Sequence, residues 1–312
     1  MRESGLSNQD VSFGRGSFGD LIGVLQNGLA TLGHYTRKVD GDYGGGTESA
    51  VRSLQLDMRR ASTGKTDPNI WQTATGLPWP SLFQRCLQLT SRFEGHGYTL
   101  IVGNFDGAGL TWGIVGFTLR HGEIQVLINE VDARAPELLA EAFGQEPAAE
   151  LVTRIRTHKP AALMRWADSI SVGARGQLVS EPWRSGFAKL GGQPLVQELQ
   201  RRRAREKYFD PALATAARLS LTAERGIALC FDTHVQNGGV KSADEAAYVK
   251  VTSASRRSHS QSARRELLAR LVADSARQKY RDDVFTRKNA IATGKGIVHG
   301  QLFDLDSWGL EG

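Results

Sequence analysis

The sequence predicts a mainly α protein, in which a small three-helix bundle precedes a larger α-rich domain that carries a small β insert. Apolar residues recur at helical spacing over most of the chain, while β-branched and aromatic residues concentrate at residues 98–118. The segment GLPWP, residues 76–80, contains two prolines and interrupts the helical pattern. A chain of 312 residues exceeds one typical domain. We therefore expect two unequal domains, at residues 1–78 and 79–312.

The first domain is predicted from three short helical patterns that follow a polar, glycine-rich tail at residues 1–17. Asp20 is the expected N-cap of the first helix, and Thr47 is the expected N-cap of the second. Asp67 as cap, with Pro68 at the first helical position, predicts the start of the third. Such short helices are stable only when they pack together, so we expect one bundle.

The second domain opens with a predicted helix that runs from Ser81 to Glu94 and stops before Gly95. Two segments of strand composition, GYTLIVGNF and LTWGIVGFT, then bracket a DGAG turn. From about residue 130 onward the pattern is almost entirely helical. The second domain is therefore expected to be α-rich, with its β insert near the start.

The formal net charge of +6 and a pI near 9.4 favour a polyanionic partner, such as nucleic acid, an anionic membrane or the bacterial cell wall. The most basic stretch, residues 201–207, lies in a helical pattern without interleaved aromatic residues. We interpret it as a solvated helix face and expect no nucleic-acid partner. No apolar run approaches the roughly 20 residues of a membrane helix, so no stable membrane insertion is expected. A monomer is the default expectation.

Cys86 and Cys230 are the two cysteines, and each lies inside an apolar helical pattern. We expect buried free thiols, and one bridge between them stays open as an alternative. The seven histidines are scattered singly without zinc-type spacing, so we predict no metal and no cofactor. His234 and His299 are interpreted as structural, because no serine-nucleophile motif accompanies them.

Residues of the first domain carry a family resemblance. The matching runs are Gly19-Asp20-Leu21, Val24-Leu25-Gln26, Asp40-Gly41-Asp42-Tyr43-Gly44, Thr47, Ala50-Val51 and Leu54-Gln55. Over roughly residues 17–77 they resemble the three-helix peptidoglycan-binding module found on many wall hydrolases. The resemblance implies a domain that binds murein, with Asp40, Tyr43 and Thr47 as its substrate-binding residues.

Two carboxylates within residues 91–113 form a candidate catalytic pair. Glu94 ends the first helix of the second domain, and Asp106 follows twelve positions later in the glycine-rich turn. Such a pair can share the two tasks of glycoside hydrolysis. One carboxyl group protonates the leaving oxygen, while the other activates water or attacks the sugar. The negative end of the helix dipole and the apolar neighbour Phe93 favour the protonated form of Glu94 that a general acid needs.

The residues around Asp106 resemble the family-46 chitosanases and their relatives in the lysozyme superfamily. The matching positions are Asp106-Gly107, Gly109, Thr111, Gly113-Ile114 and Gly116-Phe117. The resemblance implies a lysozyme-like α-rich domain with Glu94 as proton donor, Asp106 as base and Thr111 as the residue that positions water. With Asp106 as base the reaction inverts the sugar, and a retaining reaction with Asp106 as nucleophile stays open. We expect the glycines at positions 103, 107, 109 and 113 to let the backbone approach a sugar ring closely.

The same resemblance implies that Asp232 supports the catalytic glutamate through an ion pair with Arg281 or Arg287. Two departures from the chitosanase pattern are visible. The spacing between Glu94 and Asp106 is short, and Ala108 stands where the family usually has arginine. The family's cleft contacts are therefore not carried over to this chain.

These features together predict a muramidase-type glycosidase that cleaves β-1,4 links of peptidoglycan. The net positive charge and the predicted wall-binding module favour that polymer over chitosan, a polycation, and chitosanase activity is the alternative. A non-catalytic wall-binding protein and a lytic transglycosylase, which needs Glu94 alone, stay open.

The amino terminus shows no signal-peptide pattern. We therefore expect synthesis in the cytoplasm and action on the periplasmic or extracellular cell wall. Two biological settings fit this expectation, a phage endolysin and a secreted antibacterial effector.

Overall fold

The computed structural model describes residues 11–95, 97–254 and 260–312. By its internal packing the chain divides into two compact units, Met1–Phe93 with Tyr208–Gly312, and Glu94–Lys207. The domain boundary expected between residues 78 and 79 lies within the first of these units, and the division into residues 1–78 and 79–312 stays a prediction. Within the described ranges, no helix combines the length and the apolar character that crossing a bilayer requires.

The first unit begins with the predicted bundle of α1 (Asp20–Thr31), α2 (Gly45–Asp57) and α3 (Pro68–Thr75). Its core is an apolar cluster to which all three helices contribute buried side chains, including Ile22, Leu25, Leu29, Val51, Leu54, Ile70 and Trp71. The periodic apolar positions of the sequence are therefore the residues that hold the bundle together.

One of the three predicted helix caps forms as expected. The Asp67 side chain accepts a hydrogen bond from the backbone N–H of Ile70 at 2.9 Å, and Pro68 occupies the first helical position. The other two predictions are wrong by one to three residues, because α1 already includes Asp20 and α2 begins before Thr47. Glycines occupy both cap positions there, and glycine is itself a tolerated N-cap.

Gln26 is the polar centre of the bundle and is fully buried. Its Nε2 donates to Asp40 Oδ1 at 2.8 Å and to Thr47 Oγ1 at 3.0 Å. Its Oε1 accepts from the backbone N–H groups of Asp40 at 3.0 Å and Gly41 at 2.9 Å. One amide thus fixes the loop between α1 and α2 and satisfies groups that would otherwise be buried without partners.

The segment just before the bundle is ordered where the structure describes it. A loose tail is predicted at residues 1–17. Residues 1–10 lie outside the described residues, and Phe13 is fully buried. Phe13 exchanges backbone hydrogen bonds with Thr66, at 2.9 and 2.8 Å, and packs its ring against Trp79 at 4.8 Å. It also forms a β-bridge with Trp308 near the carboxyl end. The prediction of a loose tail is therefore wrong for this segment.

After the proline break, α4 (Leu82–Glu94) leads into the second unit, whose first residue is Glu94. A three-stranded antiparallel sheet follows, in the strand order β1-β2-β3, and it is the predicted β insert. The elements of the second unit are, in chain order, β1 (Ile101–Val102), β2 (Thr111–Trp112), β3 (Phe117–Thr118), α5 (Glu123–Arg134), α6 (Glu137–Phe143), α7 (Gln145–Thr157), α8 (Pro160–Ile170), β4 (Ser171–Val172), β5 (Leu178–Val179), α9 (Trp183–Gly191) and α10 (Pro194–Ala204).

A chain of aromatic contacts forms the core of the second unit. Trp112 on β2 packs on Phe187 at 5.2 Å between ring centroids, and Phe187 packs on Phe143 at 5.1 Å. Trp183 contacts both Phe143 and Trp166, at 5.9 and 5.1 Å. These rings tie the small sheet to α6, α8 and α9, because large aromatic side chains bury the most apolar area per residue.

The chain then returns to the first unit through a π-helical turn at Arg205–Phe209. The remaining helices and strands are α11 (Asp210–Arg218), α12 (Glu224–Asn237), α13 (Ser242–Ala254), α14 (Gln261–Asp274), α15 (Arg281–Thr293), β6 (Lys295–Val298) and β7 (Gln301–Asp304). The predicted fold class, mainly α with a three-helix bundle and a small β insert, is confirmed.

A buried charge cluster joins three helices of the first unit. Asp232 on α12 is fully buried. Arg287 Nε lies 2.9 Å from each of its carboxylate oxygens and donates to both, and Arg287 Nη2 donates to Oδ1 at 2.6 Å. Lys288 Nζ also donates to this carboxylate, and Thr90 Oγ1 on α4 donates to it at 3.2 Å. Burial raises the pKa of Asp232, but the charges of Arg287 and Lys288 outweigh burial and hold that pKa below its ordinary value.

Replacing Gln26 with methionine should destabilise the protein by about 2–4 kcal/mol, because several buried polar groups of the adjoining loop lose their partner at once. The measurement is urea unfolding followed by circular dichroism. Asn27→Ala, at the exposed next position of α1, is the control and should change stability by less than about 0.5 kcal/mol. A Gln26→Met variant as stable as this control would contradict the role of Gln26.

Asp232→Asn should cost about 3–5 kcal/mol near neutral pH, because it leaves two buried cations without their counter-charge. The folded-state pKa of Asp232 lies below the ordinary value of 3.8, so its contribution is complete above that value and is lost as pH falls through the lower folded-state pKa. The stability gap between wild type and variant should therefore narrow once the pH falls below about 4.

Urea unfolding at several pH values measures this gap. Glu245→Gln is the matched control, because it removes a carboxylate from an ion pair with the half-exposed Arg218. That control should cost at most about 1 kcal/mol. Equal losses in the two variants, or a gap that widens on acidification, would show that Asp232 does not compensate the buried charges of Arg287 and Lys288.

Candidate active site

Glu94 is the last residue of α4, and its side chain is half-buried. The helix is amphipathic and buries Phe83, Cys86 and Leu87, among others, on its inner face. It ends at Glu94 because Gly95 adopts a left-handed conformation, with φ of 66°, that favours glycine.

The last turn of α4 is held by side chains of its own unit. The Phe93 ring packs on Phe303 at 4.7 Å, and the Arg287 guanidinium lies 5.3 Å from the Phe93 ring centroid. Thr90, one turn before Glu94, donates to buried Asp232. The end of α4, as far as Phe93, is therefore held by two sets of contacts within the first unit.

Asp106 lies in the loop between β1 and β2, and its carboxylate is exposed. Its Oδ1 accepts a hydrogen bond from the backbone N–H of Ala108 at 3.0 Å, which is the local turn that aspartate commonly makes. The second carboxylate oxygen extends the acceptor capacity of the side chain beyond this turn. The geometry leaves an accessible carboxylate on a defined loop, as a general base requires.

Asn104 anchors this loop with three hydrogen bonds. Its Nδ2 donates to Asp168 Oδ1 at 2.5 Å, and its backbone N–H donates to Ser171 Oγ at 2.8 Å. Its Oδ1 accepts from the backbone N–H of Gly109 at 2.7 Å, so it spans the turn that contains Asp106. The sequence interpretation missed Asn104, although an asparagine two residues before a DG turn is typical turn chemistry.

Arg120 holds the other side of the loop. Its Nη1 donates to the carbonyl of Gly107 at 2.8 Å, and its backbone N–H donates to the carbonyl of Ala108 at 3.0 Å. Arg120 was also missed, because it lies twelve positions after Ala108 and has no motif of its own. The loop that carries Asp106 is thus tied to α8 through Asn104 and to the end of the sheet through Arg120.

Thr111 opens β2 and pairs in register with Val102 on β1 and Thr118 on β3. The next residue, Trp112, points into the core, so the Thr111 side chain points to the opposite face of the sheet. Thr111 is half-buried and lies on the same β1–β2 connection as Asp106. Glu94, Asp106 and Thr111 all belong to the second unit.

The expectation that several glycines here make room for a sugar ring is wrong at three positions. A Cβ placed on Gly103 would lie 2.3 Å from the carbonyl oxygen of Gly176, and one on Gly113 would lie 2.3 Å from Gln200 Oε1. A Cβ on Gly109 would lie 2.8 Å from Met164 Cε. These glycines permit close packing inside the protein, which is the other common reason for glycine in a strand or turn.

Of the two arginines proposed as partners of Asp232, the structure places Arg287 in the ion pair, whereas Arg281 is exposed at the start of α15. Lys288 is a third, fully buried member that the sequence interpretation missed. Its Nζ also donates to Gln236 Oε1 at 2.7 Å. Whether this cluster supports Glu94 in catalysis, as the resemblance implies, stays a prediction.

The three residues assigned to murein binding serve the bundle itself. Tyr43 is fully buried, its hydroxyl donates to the carbonyl of Gly64 at 2.9 Å, and burial raises its pKa. Thr47 is also buried, and the Gln26 hydrogen bond lowers the pKa of Asp40. Tyr43 and Thr47 cannot reach a polymer from the interior, which corrects the expectation for these two side chains.

The basic stretch at residues 201–207 is largely paired within the second unit. Arg203 and Lys207 both bind the buried carboxylate of Glu123, at 2.7 and 3.1 Å. Arg202 pairs with Glu130, and the Arg201 guanidinium lies 5.6 Å from the Tyr98 ring centroid. These contacts give the arginines a structural role.

The cysteines and histidines take structural positions. Cys86 and Cys230 are both free thiols and buried, and burial raises the pKa of Cys230 to about 12. His234 lies 3.0 Å from Thr215 Oγ1, and burial with nearby Arg218 lowers its pKa. Across the described ranges no group of histidine, cysteine and acidic side chains has the arrangement of a metal site.

Comparisons with known proteins agree with both halves of this architecture. Residues 18–73 match a family model described as "Putative peptidoglycan binding domain". A comparison with curated proteins gives no match.

Two solved structures share the fold of the chain. A GH46 chitosanase of Gynuella sunshinyii in complex with chitotetraose is 16% identical, with a TM-score of 0.52, over 72% of this chain and 98% of that one. A mutant chitosanase from Bacillus subtilis MY002 complexed with 6 GlcN is 17% identical, with a TM-score of 0.50, over 73% and 96%. At these identities the likeness shows the fold. The chain therefore joins an amino-terminal peptidoglycan-binding module to a domain with the fold of the GH46 chitosanases.

Proposed function

We propose that this protein is a glycoside hydrolase that cleaves β-1,4 bonds between the amino sugars of bacterial peptidoglycan. The observation that carries the proposal is the exposed carboxylate of Asp106 on a loop anchored at both sides, in a domain with the chitosanase fold. The peptidoglycan-binding match at residues 18–73 supports the choice of polymer.

In the proposed mechanism the two carboxyl groups have different tasks. Glu94, at the end of α4, donates its proton to the glycosidic oxygen as the bond to the leaving sugar breaks. Asp106 takes a proton from a water molecule that Thr111 helps to position, and this water attacks the anomeric carbon from the opposite face. The product has inverted configuration, and both carboxyl groups regain their starting protonation through solvent.

Charge supports peptidoglycan as the substrate. The chain carries a net charge of +6, and peptidoglycan carries carboxylates, whereas chitosan is a polycation. Chitosan is the second candidate, because both similar structures are chitosanases, one complexed with chitotetraose and one with 6 GlcN. The proposal places the activity at the periplasmic or extracellular wall, as a phage endolysin or a secreted antibacterial effector that works as a monomer.

Glu94→Gln should lower hydrolysis by about 10²–10⁴-fold, because it removes the proton donor while keeping the size of the side chain. Release of reducing ends from purified sacculi and from chitosan, followed by mass spectrometry of the fragments, measures the loss and identifies the polymer. Glu137→Gln, which changes an exposed glutamate of α6, is the control and should keep wild-type activity. Lysis that survives Glu94→Gln would sink the proposed mechanism.

Asp106→Asn distinguishes hydrolysis from transglycosylation. The asparagine Oδ1 can still accept from the backbone N–H of Ala108, so the loop keeps its shape while the base is lost. We expect a loss of about 10²–10⁴-fold, and products of inverted configuration by NMR in the wild type. A fully active Asp106→Asn variant that releases anhydro sugars would instead identify a lytic transglycosylase, which needs the glutamate alone.

A further inference from the structure

Phe105 is the most exposed aromatic side chain in the described part of the chain, with 54% of its surface accessible. It directly precedes Asp106, the proposed base. Leaving a phenylalanine in water forfeits about 1.5–3 kcal/mol of burial free energy, and this ring combines that exposure with a position directly beside the proposed base.

Poor local order does not explain this exposure. The backbone N–H of Phe105 donates to the carbonyl of Gly103 at 2.9 Å, and Asn104 binds Ser171 and Asp168 through its backbone and side chain. On the other side, Asp106 closes its turn on Ala108. The residue is therefore held in one backbone conformation that points its ring away from the protein interior.

A missing core does not explain it either. The same unit contains a continuous aromatic core, in which Trp112, Phe187 and Phe143 pack on one another at 5.1–5.2 Å between ring centroids. Trp112 belongs to the strand that follows the loop, so the local chain already delivers one aromatic side chain inward. Phe105 is the aromatic residue that the loop keeps outside.

We propose that Phe105 is a substrate-binding residue, whose ring takes the apolar face of a pyranose ring of the amino-sugar polymer bound beside Asp106. This inference rests on the proposed function and names a contact for the same site. A pyranose presents C–H groups on its faces and hydroxyl groups around its edge, so a flat apolar ring binds the face without requiring any charge on the sugar. The ring thereby adds binding energy for a sugar that lies beside the carboxylate, and it does so equally in the ground state and the transition state.

The test uses Phe105→Ala, Phe105→Tyr and a matched control, Phe285→Ala, which removes another exposed phenylalanine, on α15. In steady-state hydrolysis of the polymer that the wild type cleaves, Phe105→Ala should raise KM about tenfold and change kcat by less than about twofold. Phe105→Tyr keeps the ring and should restore KM to within about twofold, and Phe285→Ala should leave it unchanged.

A binding measurement separates this inference from the proposed reaction. The probe is tetra-N-acetylchitotetraose, titrated by calorimetry into Glu94→Gln alone and into Glu94→Gln combined with each Phe105 variant. We expect Phe105→Ala to weaken binding about tenfold and Phe105→Tyr to keep it. If the wild type cleaves neither polymer but Phe105→Ala still weakens binding, the proposed reaction fails and the sugar contact stands.

If hydrolysis occurs and Phe105→Ala leaves both KM and binding unchanged, the sugar contact fails alone. An equal loss in Phe285→Ala would also overturn it, because the effect would then follow exposed apolar area in general. If no variant changes binding of the probe, or if no variant binds the probe at all, Phe105 is not a sugar contact.

Discussion

The packing of α4, α12 and α15 in the first unit centres on the buried carboxylate of Asp232. Asp232 is surrounded by the guanidinium of Arg287, the ammonium of Lys288 and the hydroxyl of Thr90, so it links α12, α15 and α4 in the interior. None of these charges has access to water, and each depends on the others for compensation. A cluster of this kind contributes less to net stability than to uniqueness, because any other helix packing would leave a bare charge inside. That constraint extends to the last turn of α4 within the first unit.

In the second unit, the carboxylate of Asp106 is exposed rather than buried. Asp106 is exposed, and the protein fixes the loop rather than the side chain, through Asn104 on one side and Arg120 on the other. A base that must accept a proton from water benefits from solvent access and from a fixed position at the same time. Burial with charged partners thus holds a helix in the case of Asp232, whereas an anchored turn keeps the Asp106 carboxylate exposed in a defined position.

Much of this architecture can be predicted from the chain alone. Apolar periodicity gave the three-helix bundle and the predominance of helices, and the β-branched stretch gave the small sheet, because those signals are local. The sequence identified Asp232 but did not decide between Arg281 and Arg287 as its partner. The two arginines are six positions apart on one helix, so their side chains point to different faces. Only the packing of α15 decides which one points inward, and it also buries Lys288.

Other features have no local signal at all. Asn104 binds Asp168 across 64 residues, and Phe13 bridges to Trp308 from the far end of the chain. Tyr43 and Thr47 match the wall-binding pattern because they build the bundle, and a sequence match cannot separate a residue that shapes a module from one that contacts its ligand. Predicting such pairs requires the fold first.

The bridge from Phe13 to Thr66 and Trp308 has a consequence for protein engineering. The backbone N–H of Gly14 donates to the carbonyl of Ser307, and the backbone N–H of Gly309 donates to the carbonyl of Ser12, so backbone pairing joins the segment before the bundle to the carboxyl-terminal segment. Separating the chain at its proline break would remove the segment that pairs with Trp308. A module that is to be exchanged between proteins must therefore include both of the paired segments.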